Sequence, residues 1–247
     1  MVEVENYLLE NKKLKIIQRK DMFNFSLDSV LLSHFVFISK KNKTIVDFGT
    51  NNAAIPLMLS TMTNQKIIAV EIQKEAVDLA NKNIVLNNLE EQVEVVHSDI
   101  KDFVKNLNIK VGTVVCNPPF FKVKECSNVN ENEFLQIARH EIKITLEQII
   151  ASAAKILENN GRFAMIHRPD RMIEIIELMK KYKIEPKRIQ FIYPRINQQA
   201  NMILIEGRFQ GNAGGLIIEK PIYAHNEDGS YTEQVKEMFL GDKNEKI

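Results

Sequence analysis

Short apolar runs alternate with amphipathic segments along most of this chain, and this alternation restricts its possible folds more than any other feature. The strand-like runs are TIVDF (44–48), KIIAVEI (66–72), VEVVHS (93–98), GTVVCN (112–117) and RFAMIH (162–167). Apolar residues at helical spacing predict helices between them, at 53–62, 74–87, 142–158 and 170–182. Such alternation predicts an α/β fold with a mostly parallel sheet that helices cover on both faces.

The pattern changes after residue 183. The stretches IEPKRIQFIYP and ANMILIEGRF follow each other with no helical segment between them. Two consecutive strands at the end of a βα series predict an antiparallel hairpin that closes the sheet. We therefore expect three parts: an N-terminal extension with a cover helix (1–40), the main domain (41–210), and a C-terminal extension packed on that domain (211–247).

Composition narrows the functional class. The chain has 247 residues, a net charge of +1 and two cysteines. Two cysteines provide neither a disulfide framework nor a four-ligand zinc pattern, so we expect no metal. The N-terminus lacks the features of a signal peptide, and no apolar run is long enough to cross a membrane. These features predict a cytoplasmic enzyme or binding protein without a membrane partner.

Acidic residues stand at the ends of three predicted strands, and ligands of open α/β sheets bind at the carboxyl ends of strands. Asp47 and Gly49 end the first strand, and Glu71 follows 22 residues after Gly49. An acid at this distance accepts hydrogen bonds from ribose hydroxyls, although it also suits the cap of the helix predicted from Lys74. Asp99 suits either an exocyclic amine of a purine or a helix N-cap.

The turn after the first strand, DFGTNNA, departs from a glycine-rich nucleotide loop. Asn51 and Ala53 occupy the places where two further glycines are usual. Asparagine tolerates a positive φ better than other non-glycine residues, and alanine is the smallest substitute where a helix approaches the sheet. We expect a functional loop that binds its ligand less tightly than a glycine loop. The Asn51 side chain would either crowd the ligand or bond to it.

The fourth predicted strand ends in Asn117-Pro118-Pro119-Phe120-Phe121. The two prolines exclude helix and leave backbone carbonyl groups free. An asparagine, a free proline carbonyl and an aromatic ring form a receptor in which two acceptors hold an amino group and the ring stacks on its base. The alternative is an ordinary proline turn with buried phenylalanines.

Taken together, Asp47-x-Gly49, Glu71, Asp99 and the Asn-Pro-Pro-Phe segment resemble class I S-adenosylmethionine-dependent methyltransferases that modify amino groups. The chain further resembles the bacterial tRNA1(Val) adenine-N6 methyltransferase family, especially its Gram-positive branch, over roughly residues 15–235. The matching stretches include FNFSLDSVLL (23–32), HRPDR (167–171), EPKRIQFIYP (185–194) and ANMILIEG (200–207). The resemblance implies a Rossmann-like sheet of seven strands and methylation of an unpaired adenine beside a tRNA anticodon.

The resemblance also implies roles for individual residues. The expected catalytic residues are Asn117, Pro118 and Phe120. The residues expected to bind S-adenosylmethionine are Asp47, Gly49, Thr50, Asn51, Glu71, Ile72, Asp99, Ile100 and Asn117. The residues expected to bind the substrate are Pro119, Phe121, Arg168, Arg171, Lys187 and Arg188.

Clusters of basic residues predict an RNA partner for a protein that is neutral overall. They are Lys12, Lys13, Lys15, Arg19 and Lys20; Lys122 and Lys124; Arg168 and Arg171; and Lys180, Lys181, Lys183, Lys187, Arg188 and Arg195. Solvated surface is the ordinary alternative for any one of them. We expect His167 to orient a neighbour or to be buried rather than to act as a base, and the protein to be a monomer.

Other functions remain open at this point. Guanine-N2 methyltransferases of ribosomal RNA also use Asn-Pro-Pro-aromatic segments. A protein-glutamine enzyme is disfavoured because only about 40 residues precede the first strand of the βα series, and a DNA enzyme because no recognition insertion is evident. A catalytically inactive RNA-binding relative would explain the altered glycine loop. A nicotinamide dehydrogenase would leave Asn-Pro-Pro-Phe without a role.

Overall fold

The computed structural model describes residues 3–9, 13–22, 25–39, 43–120 and 144–241. The strands are β1 (Glu3–Leu9), β2 (Leu14–Arg19), β3 (Ile45–Phe48), β4 (Ile67–Glu71), β5 (Val93–His97), β6 (Val111–Cys116), β7 (Leu157–His167), β8 (Ile184–Tyr193), β9 (Met202–Phe209), β10 (Ile217–Ile218) and β11 (Ile222–Tyr223). The helices are α1 (Leu27–Phe35), α2 (Ala54–Ser60), α3 (Lys74–Leu86), α4 (Ile100–Asn106), α5 (Leu146–Ile156), α6 (Met172–Lys181) and α7 (Glu233–Leu240).

One large sheet organises the described part of the chain. Its strand order is β10-β8-β9-β7-β6-β3-β4-β5, and β11 also pairs with β8. Strands β3 to β7 pair in parallel, whereas β9 runs antiparallel to both β7 and β8. The predicted mostly parallel sheet with an antiparallel C-terminal hairpin is confirmed.

Both faces of this sheet are buried, as the uninterrupted apolar runs predict. Along β3, Ile45 belongs to one apolar cluster and Val46 and Phe48 to the other. The first cluster joins the sheet to α1, α2 and the N-terminal strands; the second joins it to α4, α5 and α6. With helices on both faces, the carboxyl edge of the parallel strands is the part of the sheet open to a ligand.

An N-terminal hairpin packs against this core. Strand β2 coincides with the short apolar run LKIIQ (14–18), whereas no pattern in the sequence indicates β1. Five of the seven residues of β1 are exposed, so it lacks the alternation that marks a half-buried strand. The hairpin is anchored by Leu8, Leu9, Leu14 and Ile16, which are all buried.

The helix predicted at 142–158 ends earlier than predicted, although Asn159, Asn160 and Gly161 just beyond it are residues that commonly end a helix. Helix α5 ends at Ile156, and β7 begins at Leu157 rather than at 162. The pairing with β6 is interrupted between Leu157 and Arg162, and Asn160 has a φ of 61° inside this interruption. Asn160 therefore adopts its left-handed conformation within a bulge of β7 and does not end α5.

None of the helices formed by the described residues is long and apolar enough to cross a membrane. None of the histidines, cysteines and acids in the same described part of the chain forms a group of three with the proximity to hold a metal ion.

Candidate active site

A cleft opens at the carboxyl edge of the sheet, beside β3, β4 and β6. Its volume, including space open to solvent, is about 1150 Å³. It brings together several segments that are far apart in sequence, namely the loop 49–52, the end of β4, the start of α4 and the Asn-Pro-Pro-Phe segment. These segments meet because the strands before them are in register: Phe48 on β3 lies between Val70 on β4 and Cys116 on β6.

The loop after β3 carries three residues with positive φ. Gly49 has a φ of 71°, Asn51 of 51° and Ala53 of 64°. The prediction that position 51 needs a positive φ is consistent with this geometry. Ala53 was expected only to permit a close approach, yet the structure gives it a left-handed backbone, which costs an L-residue about 1–2 kcal/mol.

Glu71 fastens this loop to β4. Its carboxylate accepts hydrogen bonds from the backbone N–H groups of Asn51 (2.8 Å), Ile72 (2.9 Å) and Gln73 (2.9 Å). Burial raises the pKa of the Glu71 carboxyl, and these three hydrogen bonds limit the rise. Glu71 lines the cleft as predicted. It is buried, so the alternative of an exposed acid that only caps the helix from Lys74 does not describe it.

Asp47 lies beneath the loop instead of lining the cleft. It is fully buried, and neither carboxylate oxygen has a hydrogen-bond partner among the described residues. Burial, the main cause, raises the pKa of Asp47 to about 7, and the nearby Glu71 carboxylate adds to this rise.

Unpaired buried polar atoms are concentrated around this loop. Among the described residues they include both oxygens of Asp47, Oγ1 of Thr50, Nδ2 of Asn52 and Oε1 of Gln73. Buried polar groups normally find partners, because an unpaired one costs about 1–3 kcal/mol. The residues present therefore fit a bound group that has both positive and negative ends.

Asp99 is the N-cap of α4, one of the two roles that its position suggested. Its side chain caps α4 by accepting from the Lys101 N–H at 2.7 Å, and it also lines the cleft. Ile72 and Ile100 line the same end of the cleft. This end offers apolar side chains for a planar ring and a carboxylate for an amine on that ring.

The Asn-Pro-Pro-Phe segment forms another wall of the cleft. Asn117, Pro118, Pro119 and Phe120 all line it, with Pro118 buried and the other three partly exposed. Phe121, together with Lys122 and Lys124, lies outside the described residues. The segment follows β6, next to β3, so Asn117 and the loop at Gly49 end neighbouring strands.

His167 ends β7 and is buried. Its Nδ1 accepts a hydrogen bond from the Arg168 N–H at 2.8 Å, whereas Nε2 has no partner among the described residues. Burial, helped by the nearby Arg171 charge, lowers the His167 pKa to about 4. The ring is therefore neutral and carries its proton on Nε2.

The predicted substrate-binding arginines after β7 have different surroundings. Arg168 is 46% exposed and lies 3.3 Å from Asp170. Arg171 is buried and forms a two-point ion pair with Glu174, at 3.0 and 2.8 Å. Arg168 remains at the open edge, whereas the Arg171 guanidinium is engaged inside the protein.

Lys187 and Arg188 are not brought to the cleft. Both lie on β8, which β9 and β7 separate from β6. Lys187 donates to the backbone carbonyls of Asn212 and Gly214. Arg188 pairs with Glu219 at 2.8 Å, donates to the Phe35 carbonyl, and lies 3.6 Å from the buried Glu206. Internal bonds therefore engage both side chains.

Other cleft residues escaped the sequence analysis. They are Phe25, Ser29, Phe48, Asn52, Ala54, Ile55, Val70, Gln73, Ser98, Cys116, Ile144 and Ile149. Phe25 and Ser29 belong to the segment predicted as a cover, and their contribution to the cleft agrees with that placement. The apolar residues carry no sequence signal that separates them from ordinary core, so only the fold reveals them.

Comparisons with known proteins extend this description. The family model described as "Methyltransferase small domain" matches residues 26–184. A tRNA1(Val) (adenine(37)-N6)-methyltransferase from Phocaeicola vulgatus is 26% identical over 234 residues, covering 93% of this chain and 96% of the relative. The protein of the same name from Parabacteroides distasonis is 24% identical over 202 residues, covering 81% and 83%.

Solved structures show the same fold. A predicted O-methyltransferase from Agrobacterium tumefaciens superimposes with a TM-score of 0.67 at 20% identity, covering 87% of this chain and 96% of that one. A geranyl diphosphate methyltransferase in complex with SAM gives a TM-score of 0.55 at 11% identity, covering 73% and 84%. At these identities the likeness supports the fold alone.

Proposed function

The chain belongs to the methyltransferase small domain family, and from this premise we propose that it transfers a methyl group from S-adenosylmethionine to N6 of an unpaired adenine in tRNA. The predicted class I methyltransferase fold is confirmed by the sheet order and by the structural neighbours. The relatives named tRNA1(Val) (adenine(37)-N6)-methyltransferase suggest the target, adenine 37 of tRNA1(Val). The observation that carries the proposal is that the Asn-Pro-Pro-Phe segment and Glu71 line one cleft.

The adenosine part of the cofactor would lie between β4 and α4. The Glu71 carboxylate, held by three backbone N–H groups, would accept hydrogen bonds from the ribose hydroxyls. Ile72 and Ile100 would enclose the adenine ring, and Asp99 would accept from its amine.

The charged end of the cofactor would lie against the loop after β3. Asp47, whose carboxyl oxygens are unpaired beneath the loop, would favour an ammonium group placed on the loop, and the unpaired Nδ2 of Asn52 would donate to a carboxylate. Gly49, Thr50 and Asn51 would form the surface that contacts this end. When bound, S-adenosylmethionine supplies a methyl group made electrophilic by its sulfonium.

Asn117 and Pro118 would hold the amine that is methylated. The lone pair of adenine N6 is delocalised into the ring, which makes it a weak nucleophile. Two acceptors, the Asn117 side-chain oxygen and the Pro118 carbonyl, would bind the two amine hydrogens and direct the lone pair into the cleft. The same acceptors would stabilise the positive charge that develops on nitrogen as it forms its bond to the methyl group. The surplus proton would leave the nitrogen for solvent after the methyl–sulfur bond has broken, so no strong base is needed beforehand.

Phe120 would stack on the target base, with Pro119 beside it and Phe121 as a further contact. A base inside a paired stem does not reach such a pocket without being flipped, at a cost of a few kcal/mol. An anticodon-loop adenine is already unpaired, which favours it as the substrate.

The RNA backbone would bind along the open edge of the sheet. Arg168 follows β7 and the exposed Arg195 follows β8, and both strands run parallel to β6. Both arginines therefore lie at the same edge as Asn117. Because Arg171, Lys187 and Arg188 are engaged by bonds within the protein, we assign them to support of the fold. A tRNA substrate implies a cytoplasmic location, and we propose a monomer because tRNA binding by this edge needs no second copy.

Identifying the modified nucleoside tests the proposal. Total tRNA and ribosomal RNA would each be incubated with the protein and S-adenosylmethionine, digested, and mapped by mass spectrometry. We expect N6-methyladenosine at position 37 of a valine tRNA. N2-methylguanosine in ribosomal RNA would instead support the guanine-N2 alternative. Failure to bind the cofactor at millimolar concentration in calorimetry would support an inactive RNA-binding relative.

A further inference from the structure

A buried asparagine connects the loop after β3 to the N-terminal hairpin. Asn83 lies on α3 and has no exposed surface. Its Oδ1 accepts from the Ile17 N–H at 2.7 Å, and its Nδ2 donates to the Ile17 carbonyl at 3.1 Å and to the Asn52 carbonyl at 2.9 Å. A primary amide has two N–H donors, so both are used.

Asn87, the C-cap residue that directly follows α3, makes the same contact with the hairpin. Its Oδ1 accepts from the Lys15 N–H at 3.0 Å, and its Nδ2 donates to the Lys15 carbonyl at 2.8 Å. Two side-chain amides thus pair with the edge of β2 as a neighbouring strand would. The two asparagines differ in their remaining hydrogen bond. Nδ2 of Asn83 donates to the Asn52 carbonyl in the loop, whereas Nδ2 of Asn87 donates to the backbone carbonyl of Asn83.

The loop needs such an external support. Asn52 stands between two non-glycine residues with positive φ, Asn51 and Ala53. Backbone conformations of this kind persist only where the surroundings fix them. On the β4 side the Val70 carbonyl and the Glu71 carboxylate fix the loop. On the α3 side, Asn83 fixes the loop through its hydrogen bond to the Asn52 carbonyl.

We propose that Asn83 is a positioning residue for the cofactor, which holds the loop 49–53 in its binding conformation by joining it to the N-terminal hairpin. The inference rests on the proposed function, because the loop is taken to bind S-adenosylmethionine. It makes the hairpin part of the cofactor site, although none of the described hairpin residues, 3–9 and 13–19, lines the cleft. Asn83 itself contacts the loop backbone and not the cofactor.

The chain provides a matched control for this role. Asn83→Ala and Asn87→Ala each remove a side-chain amide that bonds β2, but only Asn83→Ala removes the bond to Asn52. Binding of S-adenosylhomocysteine would be measured by calorimetry, with thermal unfolding recorded for each variant. We expect about fivefold weaker binding for Asn83→Ala, as the loss of one hydrogen bond predicts, and a change of less than about twofold for Asn87→Ala. Equal effects of the two substitutions on affinity would overturn the proposal.

A measurement on the unmodified protein covers the case in which Asn83→Ala does not fold. Residue-resolved hydrogen exchange would be recorded with and without S-adenosylhomocysteine. We expect the Ile17 amide, bonded to Asn83, to become more protected on binding, and the Lys15 amide, bonded to Asn87, to change less. Equal or absent changes at the two amides would refute the coupling. Absence of binding by the wild-type protein would instead refute the proposed function.

Discussion

The phenyl ring of Phe120 meets the imidazole of His167 edge-on, with ring centroids 5.4 Å apart and planes inclined at 67°. The two residues stand at the ends of neighbouring parallel strands, Phe120 shortly after β6 and His167 at the end of β7. An edge-to-face contact restricts the orientation of a ring that would stack on the target base. We therefore propose that His167 positions Phe120 rather than acting as a catalytic base.

Replacing this histidine tests that role. His167→Leu replaces the imidazole with an apolar side chain of similar size and loses the aromatic contact, which is worth about 0.5–1.5 kcal/mol. We expect methyl transfer to fall about two- to tenfold, with S-adenosylhomocysteine affinity unchanged. Because the His167 pKa is near 4, the wild-type rate is expected to show no ionisation of this residue between pH 5 and 8. A wild-type step near pH 6.5 that disappears in His167→Leu would contradict this account.

The backbone of Asn51 gives a second prediction. With a φ of 51°, this residue needs the left-handed conformation, which glycine adopts freely and β-branched residues resist. We expect Asn51→Gly to bind S-adenosylhomocysteine as tightly as the wild type or more tightly, and Asn51→Val to bind about tenfold more weakly. Calorimetry measures the S-adenosylhomocysteine affinity of both variants. Weaker binding by Asn51→Gly would show that the asparagine amide, rather than the backbone path, holds the cofactor.

The buried Asp47 carboxyl predicts how stability changes with pH. Its folded-state pKa is about 7, compared with an ordinary value of 3.8. Between these values the unfolded chain releases the proton and the folded chain keeps it. The contribution to stability is therefore complete below about pH 4 and is lost as pH rises to about 7, at about 1.4 kcal/mol for each unit of pKa difference.

Asp47→Asn removes this titration while keeping the shape of the side chain. We expect the variant to gain stability relative to the wild type as pH rises from 4 to 7, and the difference to level off above pH 7. Urea unfolding at several pH values, without cofactor, provides the measurement. Parallel pH profiles for the two proteins would show that Asp47 does not keep its proton in the folded state.

The fold class and the residues at the strand ends were predictable because short stretches of sequence encode them. Each strand that ends at the cleft combines a short apolar run with a polar residue at its carboxyl end, and the fold class follows from that repetition. Glu71 and Asn117 were identified by this pattern, and Gly49 by its place in the turn after the first strand. All three line the cleft. A parallel sheet places such residues together wherever the intervening segments are helices.

The remaining features depend on contacts that no local pattern encodes. The bond from Asn83 to Asn52 spans 31 residues and the bond to Ile17 spans 66, and asparagines on a helix are ordinarily solvated. Arg188 looked like a surface cation because the sequence does not show that Glu206 lies buried beside it. Ala53 carries no mark of a positive φ, which alanine rarely adopts.

The open edge of the sheet predicts which cations bind RNA. Arg168 and Arg195 lie at the carboxyl edge, whereas the exposed Lys110 precedes β6 at the opposite edge. We expect Arg168→Ala and Arg195→Ala each to weaken tRNA binding and to reduce the slope of log affinity against log salt by about 0.7. Lys110→Ala removes the same charge and is expected to change neither quantity. Equal losses for all three variants would indicate a diffuse effect of net charge rather than a binding edge.

Asn117→Ala tests the central claim most directly, because it removes one of the two groups that would hold the reacting amine. Wild type and variant would be compared for S-adenosylhomocysteine affinity and for formation of N6-methyladenosine in tRNA, on the same samples. We predict affinity within about threefold of the wild type and a loss of methyl transfer of at least about a hundredfold, the scale on which removal of one preorganised stabilising group acts. Methyl transfer by Asn117→Ala at the wild-type rate would contradict the assignment of this cleft as the site of amine methylation.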